Sequence, residues 1–172
     1  MRRRTVLAGS GVALTSLLGG CFALSSSPDD PPSLPSGMSV REAHVPGDVL
    51  PDSRERRKRI YDRETVHRLF TERDDATASI ASDRAPDDFL AETDFEESFL
   101  LVVQYGTQSA KYLELDRVER GDGGLRFRVV TQLPPSNGSY ADDLQIHTLF
   151  LAVTDPNADA PEGLAVTVVD DP

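Results

Sequence analysis

Cys21 is the single cysteine among 172 residues, and its setting suits acylation of the thiol. It follows Leu18-Gly19-Gly20, an aliphatic residue and two small ones that let a processing enzyme approach the backbone closely. Without a second cysteine no intramolecular disulfide can form. A sulfur taken by lipid is also lost as a zinc or copper ligand. The three histidines, His44, His67 and His147, read as members of a loop, a helix and a strand. Nucleophilic hydrolysis needs a base within hydrogen-bond reach of the nucleophile and a third group to orient it. No Gly-x-Ser-x-Gly or His-Glu-x-x-His pattern accompanies these histidines, and they read as surface or satisfied side chains. Asp155-Pro156-Asn157-Ala158-Asp159 spaces oxygen ligands like the start of a calcium loop. Ala160 and Val166 stand where such a loop wants Gly and Glu, so a plain turn is expected. No catalytic residue, metal ligand set or cofactor is assigned. Asn137-Gly138-Ser139 lies beside Pro134-Pro135-Ser136 and reads as a surface acceptor for N-glycosylation at Asn137.

What positions Cys21 is an address label. Arg2, Arg3 and Arg4 form a charged start, and Val6 to Leu18 is an apolar stretch too short to span a hydrocarbon core of about 30 Å. Arg3-Arg4 followed by Thr5-Val6-Leu7 resembles the twin-arginine export motif, and Gly9, Ser10, Gly11 and Ala13 dilute the apolar stretch. Leu18-Gly19-Gly20-Cys21 resembles a lipobox. Residues 1–20 are therefore expected to be a lipoprotein signal peptide, with Cys21 carrying the lipid that holds the mature chain on the extracytoplasmic face of the cell membrane. One acyl chain anchors only marginally, whereas the two-chain lipid this resemblance implies holds firmly. Residues 21–37, rich in Ser and Pro, read as the lipidated Cys and a tether.

The remaining residues, 38–172, are enough for one domain with a normal core. The chain carries 18 Lys and Arg against 29 Asp and Glu, a net charge of -11. Loss of the three signal arginines would leave 15 basic residues against 29 acidic ones, a net of -14. Such self-repulsion is relieved in molar salt, where the Debye length falls to about 3 Å. Lys58 and Lys111 are the only lysines. Acidic surface, scarce Lys and abundant Arg resemble the proteins of halophilic archaea. Nucleic acid is excluded as a partner by so negative a chain. Arg54 to Arg59 is a basic island, read as a solvated flank offset by Glu55 and Asp62 rather than as a lipid-headgroup site.

Within the domain, one edge strand is expected between Met38 and Pro51. A helix is expected from about Arg63 to Arg73, with Asp62 as N-cap and Ile60, Val66, Leu69 and Phe70 approximating its stripe. After a loop at Pro86-Asp87-Asp88 the text turns β-rich. Phe99-Leu100-Leu101-Val102-Val103 is a continuous apolar run, as in a central strand covered on both faces. Tyr112 to Asp116 alternates, and Gly121-Asp122-Gly123-Gly124 closes a hairpin onto Leu125 to Val129. Leu144 to Val153 and Leu164 to Val169 supply two more strands. The expected fold is mainly β: a small antiparallel sandwich or partial barrel with one short helix packed against it.

From about Ile60 to Val153 the order of features resembles the C-terminal-like domain of PrcB, the non-catalytic partner of a surface protease complex. Val66, Leu69 and Phe70 stand for the family's first stripe, Asp94-Phe95 for its Asp-Phe pair, and Phe99 to Val103 with Gly106 for its valine-rich strand. Of the family's Thr-Gly-Gly-Tyr turn only Tyr112 is kept. Leu113–Val118, Gly121–Gly124 and Pro134–Gly138 stand for the strand, hairpin and loop that follow. The resemblance implies a non-catalytic module that binds another cell-surface protein and modulates a protease. The contrasting readings are an enzyme of unrecognised type and a passive envelope or cation-binding protein. A pocket with convergent polar groups would favour the first of these, and an uncovered strand edge would favour the binder.

Overall fold

The computed structural model describes residues 31–170 except 52, 82, 87, 109, 135–142, 157–160 and 162. Two sheets face each other across an apolar core, and short helices cover the far face of one of them. β1 (Ser39–Pro46), β6 (Leu144–Thr154), β3 (Ser98–Gln108) and β2 (Val66–Phe70) lie in that order in an antiparallel four-stranded sheet. β4 (Tyr112–Gly121), β5 (Gly124–Gln132) and β7 (Leu164–Val169) form the three-stranded sheet. The expected sandwich forms, and no barrel closes.

The run from Phe99 to Val103 is apolar throughout because β3 is buried on both faces. Phe99, Leu101, Val103 and Tyr105 enter the core between the sheets, where they meet Leu113, Leu115, Phe127 and Val129. Leu100 and Val102 point the other way, with Phe150, onto Val49, Phe70, Ile80 and Phe89 beneath the helices. Each such buried aliphatic or aromatic side chain contributes roughly 1.5–3 kcal/mol.

The helices are α1 (Arg54–Tyr61), α2 (Arg73–Ser79) and α3 (Phe89–Glu92). The helix expected at Arg63–Arg73 is a misplacement. The basic island is the helix, capped where the Ser53 hydroxyl accepts from the Arg56 N–H at 3.3 Å. Arg63 then turns left-handed (φ 60°), and Val66–Phe70 continues as a strand along β3. Val66 and Phe70 share one face of a period-2 strand while Leu69 takes the other. Three apolar residues at 66, 69 and 70 fit either period, and the free edge of β3 decided between them. The island's charges are largely matched: Arg56 and Arg57 reach Asp48, Lys58 reaches Asp62, and Arg59 reaches Glu64.

β7 departs from the all-antiparallel expectation. β6 ends and β7 begins at the same end of the molecule, where Asp155 meets Arg120, so β7 starts beside Leu125 and runs parallel to β5. Gly124 (φ 111°) and Gly163 let the two chains touch there, since a Cβ on Gly124 would collide with the Gly163 carbonyl. No helix among the described residues is long and apolar enough to cross a membrane.

Candidate functional site

At the end of the sandwich where β3 stops and β4 starts, polar side chains enter the intersheet space. His44 on β1 and His147 on β6 come together, Nε2 to Nδ1 at 3.1 Å. The β1–β6 register sets this meeting, pairing His44 with Leu149 and His147 with Pro46. The ring centres are 5.3 Å apart with planes at 16°, so the two nitrogens meet head-on in an N–H···N bond. One nitrogen donates to the lone pair of the other, so the contact is a hydrogen bond rather than a pair of metal ligands. Burial lowers the pKa of both rings; for His44, with His147 beside it, the value falls to about 4. His147 is 1% exposed, and its Nε2 has no hydrogen bond of ordinary geometry, with the Gln108 backbone as the polar group acting on it. The pair is neutral at pH 7. The Tyr112 ring lies 6.0 Å from His44.

Beside them Asp170, just past β7, gathers four donors, two from strands β3 and β5 and two from turns. Its Oδ1 accepts from Thr131 Oγ1 at 2.7 Å, Lys111 Nζ at 3.0 Å and Thr107 Oγ1 at 3.4 Å. Its Oδ2 accepts from Arg63 at 3.3 Å. Burial alone would raise the Asp170 pKa, but the Thr131 and Lys111 bonds outweigh it and hold the carboxyl below its ordinary value. Tyr105 shifts up, first through burial and then through the charge of Asp170. Lys111 is only 7% exposed, so the lysine end of this ion pair is nearly dry while the carboxylate keeps some contact with solvent.

On the helix-covered face, Asp48 joins Arg56 (2.6 and 3.0 Å), Arg57 (3.3 Å) and Gln104 (3.0 Å), and Gln104 also donates to Thr148. Burial pushes the Asp48 carboxyl up, and the bonds from Arg56, Gln104 and Arg57 carry it below its ordinary value. Every member has a partner, so this network fixes α1 to the sheet.

No histidine among the described residues bonds a serine, threonine or carboxylate side chain. No group of three His, Cys, Asp or Glu side chains with metal-binding geometry occurs among them either. A shallow polar hollow of about 280 Å³ is lined by Arg41, Glu92, Thr93, Asp94, Ser98 and Thr154. Its groups bond mostly to each other: Arg41 to Glu92, Thr93 Oγ1 and the Phe89 carbonyl, Ser98 to Thr154.

The sheet edges differ more. Along β4, the Ser33 N–H donates to Asp116 O (3.0 Å), and Ser33 O accepts from Val118 N (2.9 Å). The register slips between Leu115 and Arg117, and the Leu115 N–H is taken by the Glu42 carboxylate of β1 (3.2 Å). Burial raises the Glu42 pKa against that bond. β2 has five residues, and Arg68 lies over the Phe70 ring and pairs with Asp75. β7 has none of these devices. Leu125 N donates to Gly163 O (3.0 Å), and this ladder directs Ala165, Thr167 and Val169 toward β5. The backbone N–H and C=O of Val166 and Val168 therefore face away from the sheet, with no partner among the described residues.

Compared with known proteins, the chain matches no family model, no curated protein and no solved structure.

Arg3, Arg4, Leu18, Gly19, Gly20, Cys21 and Asn137 lie outside the described residues. Of the calcium-like run, Asp155 is buried against Arg120, while 157–160 lie outside them. Sequence reasoning put His44 in a loop and His67 in a helix; both are on strands. It missed the His44–His147 contact, the Asp170 cluster and the bare β7 edge. The one available signal was that Leu164–Val169 carries no charge, proline or glycine.

Proposed function

We propose that the protein is a lipid-anchored, extracytoplasmic binding module, without catalytic chemistry of its own, that engages another cell-surface protein along β7. The lipid on Cys21, the twin-arginine route and the high-salt habitat come from the sequence features at residues 2–21 and from the acidic, lysine-poor composition. The observation that carries the binding reading is the unprotected β7 edge. A strand with outward N–H and C=O groups is a template for pairing, and natural proteins blunt such edges unless they are used. A surface protease or its complex is the partner class suggested by the PrcB resemblance.

A photocrosslinking residue at Thr167, in the full chain expressed in its native membrane, should yield one dominant crosslinked protein. Moving the crosslinker to Glu119 on β4 should abolish it. Equal crosslinking from both positions would remove the β7 reading. Cys21→Ser should release the chain into the medium, and retention would remove the anchor.

A further inference from the structure

A head-on hydrogen bond between two imidazoles becomes a pair of opposed metal ligands when its proton moves aside. His44 and His147 stand on neighbouring strands, on the inward face that they share with Leu149 of the intersheet core. Their facing nitrogens are 3.1 Å apart, the ring centres are 5.3 Å apart and the planes tilt by only 16°. Ring centres so far apart for so short a nitrogen separation put both nitrogens on the line that joins the rings. That is the donor arrangement of linear two-coordination.

The surroundings select the ion. Zn(II) is held by four ligands in structural sites, and Cu(II) prefers a square of donors. No third His, Cys, Asp or Glu joins the pair in a metal-binding group among the described residues. The carboxylates close in sequence or space are already engaged: Glu42 with the Leu115 N–H, and Asp170 with Lys111, Thr131 and Arg63. A closed-shell monovalent ion, Cu(I) or Ag(I), is satisfied by two nitrogens in line, and imidazole is a good copper ligand.

The rings are also in the right state. A histidine ligand must be neutral, and burial keeps both rings so at pH 7. The Gln108 backbone, the polar group acting on His147 Nε2, favours a proton on that nitrogen. His147 Nδ1 is then a bare lone pair, and His44 Nε2 is the donor of the resting bond. Entry of an ion needs that one proton to move from Nε2 to Nδ1 of His44. No proton is lost, and the site takes on the single charge of the ion. A backbone carbonyl on the far nitrogen is a usual outer support of a metal-bound histidine. Metal–nitrogen bonds of about 2 Å set the facing nitrogens about 4 Å apart, so the rings must part by about 0.9 Å. His44 is half-buried on β1, an edge of its sheet, and can supply that movement while His147, 1% exposed, stays in place.

We infer that His44 and His147 form a linear two-nitrogen site for a soft monovalent cation, Cu(I) or Ag(I), which staples β1 to β6. The site is independent of the β7 reading and gives the module a ligand rather than a reaction.

The test uses the full chain without a polyhistidine tag, carrying Cys21→Ser so that no thiol competes for the ion. Sodium nitrate replaces NaCl, because chloride precipitates silver. Silver nitrate should bind at one equivalent and raise the unfolding midpoint, with zinc sulfate binding about a hundredfold or more weakly. Nuclear magnetic resonance of isotope-labelled histidines should show His44 Nε2 and His147 Nδ1 shifting on silver addition while the His67 nitrogens stay. His44→Gln should weaken silver binding by more than the roughly 10–100-fold that loss of an outer partner costs, and His67→Gln should leave it unchanged. Silver binding that survives His44→Gln, or that leaves both facing nitrogens unshifted, would overturn the site. So would an absence of silver binding, or zinc binding as tight as silver, which requires further ligands. The nitrogen shifts are read with both histidines present, so they decide the question even where a variant fails to fold.

Discussion

The two long sides of this sandwich solve the same problem differently. At the β1–β4 side, the backbone groups of β4 are met by Ser33, a register slip bends the strand, and the Glu42 carboxylate bridges the sheets to Leu115. At the β2–β7 side, β7 has bare outward groups, and Leu69, Val166 and Val168 are left half-buried. On the first side the chain itself covers the β4 edge; the other is held only at its ends, by Gly163 against Leu125 and by Asp170 against four donors. An unclosed side in a molecule able to close one is a cost in stability and in aggregation risk, which is the physical reason to assign it a function.

The largest expected effect comes from removing the clamp on the open side. Asp170→Ala leaves Lys111 nearly buried without its carboxylate and should cost about 2–3 kcal/mol. Urea unfolding should show it as a lower midpoint with an unchanged slope. Adding Lys111→Met should restore part of the loss, because it removes the buried charge that Asp170 neutralises. If the double variant is no better than Asp170→Ala, the clamp works through the Thr131 and Thr107 hydroxyls instead. Hydrogen exchange in Asp170→Ala should accelerate first along β7 and leave β4 unchanged, since only the open side depends on this group.

Strand positions were readable in the sequence where burial imposes a simple pattern. The uniform apolar run at Phe99–Val103, the alternation at Leu125–Val129 and the Gly-rich hairpin all took the places their patterns implied. The stripe at Val66, Leu69 and Phe70 failed because five residues fit a helix turn as well as a strand, and a long-range vacancy beside β3 chose. The direction of β7 failed because a local run of β-branched residues says nothing about its neighbour. His44 and His147 are over one hundred residues apart, and only the β1–β6 register joins them. Gly106 illustrates the same limit: it is mid-strand, and a Cβ there would strike the Ile60 carbonyl at the end of α1. Whether an edge is open is likewise a property of strand order, which no single segment records.

The histidine pair near the closed side offers a smaller effect with a definite sign. In the unfolded chain the rings take up protons near 6.5, while His44 in the fold stays neutral to about 4. The folded state binds fewer protons between these values, so stability is full above about pH 6.5 and falls toward pH 4. His147 and His67, also lowered, act in the same direction. Glu42, raised, opposes them at the acid end, and the lowered Asp48 and Asp170 lose their contribution only below about 3.8. With solvent access discounted, the pair should account for roughly 1–2 kcal/mol between pH 6.5 and 4. His44→Gln should flatten that part of the pH–stability curve; an unchanged slope would move the origin to His67.

The smallest effect tests whether the closed side is closed by Ser33 alone. Ser33→Pro deletes the N–H that reaches Asp116 O but keeps the carbonyl that accepts from Val118. It should cost about 1 kcal/mol, the usual net worth of one backbone hydrogen bond, and speed exchange at Val118 as the segment loosens. It should not make Glu119 on β4 a crosslinking position for the partner. The register slip still bends β4 there, and Glu42 still occupies the Leu115 N–H, so the edge is protected three times over. A dominant crosslink from Glu119 in this variant would mean that Ser33 is the whole barrier. The contrast between the two sides would then reduce to the presence or absence of one covering segment.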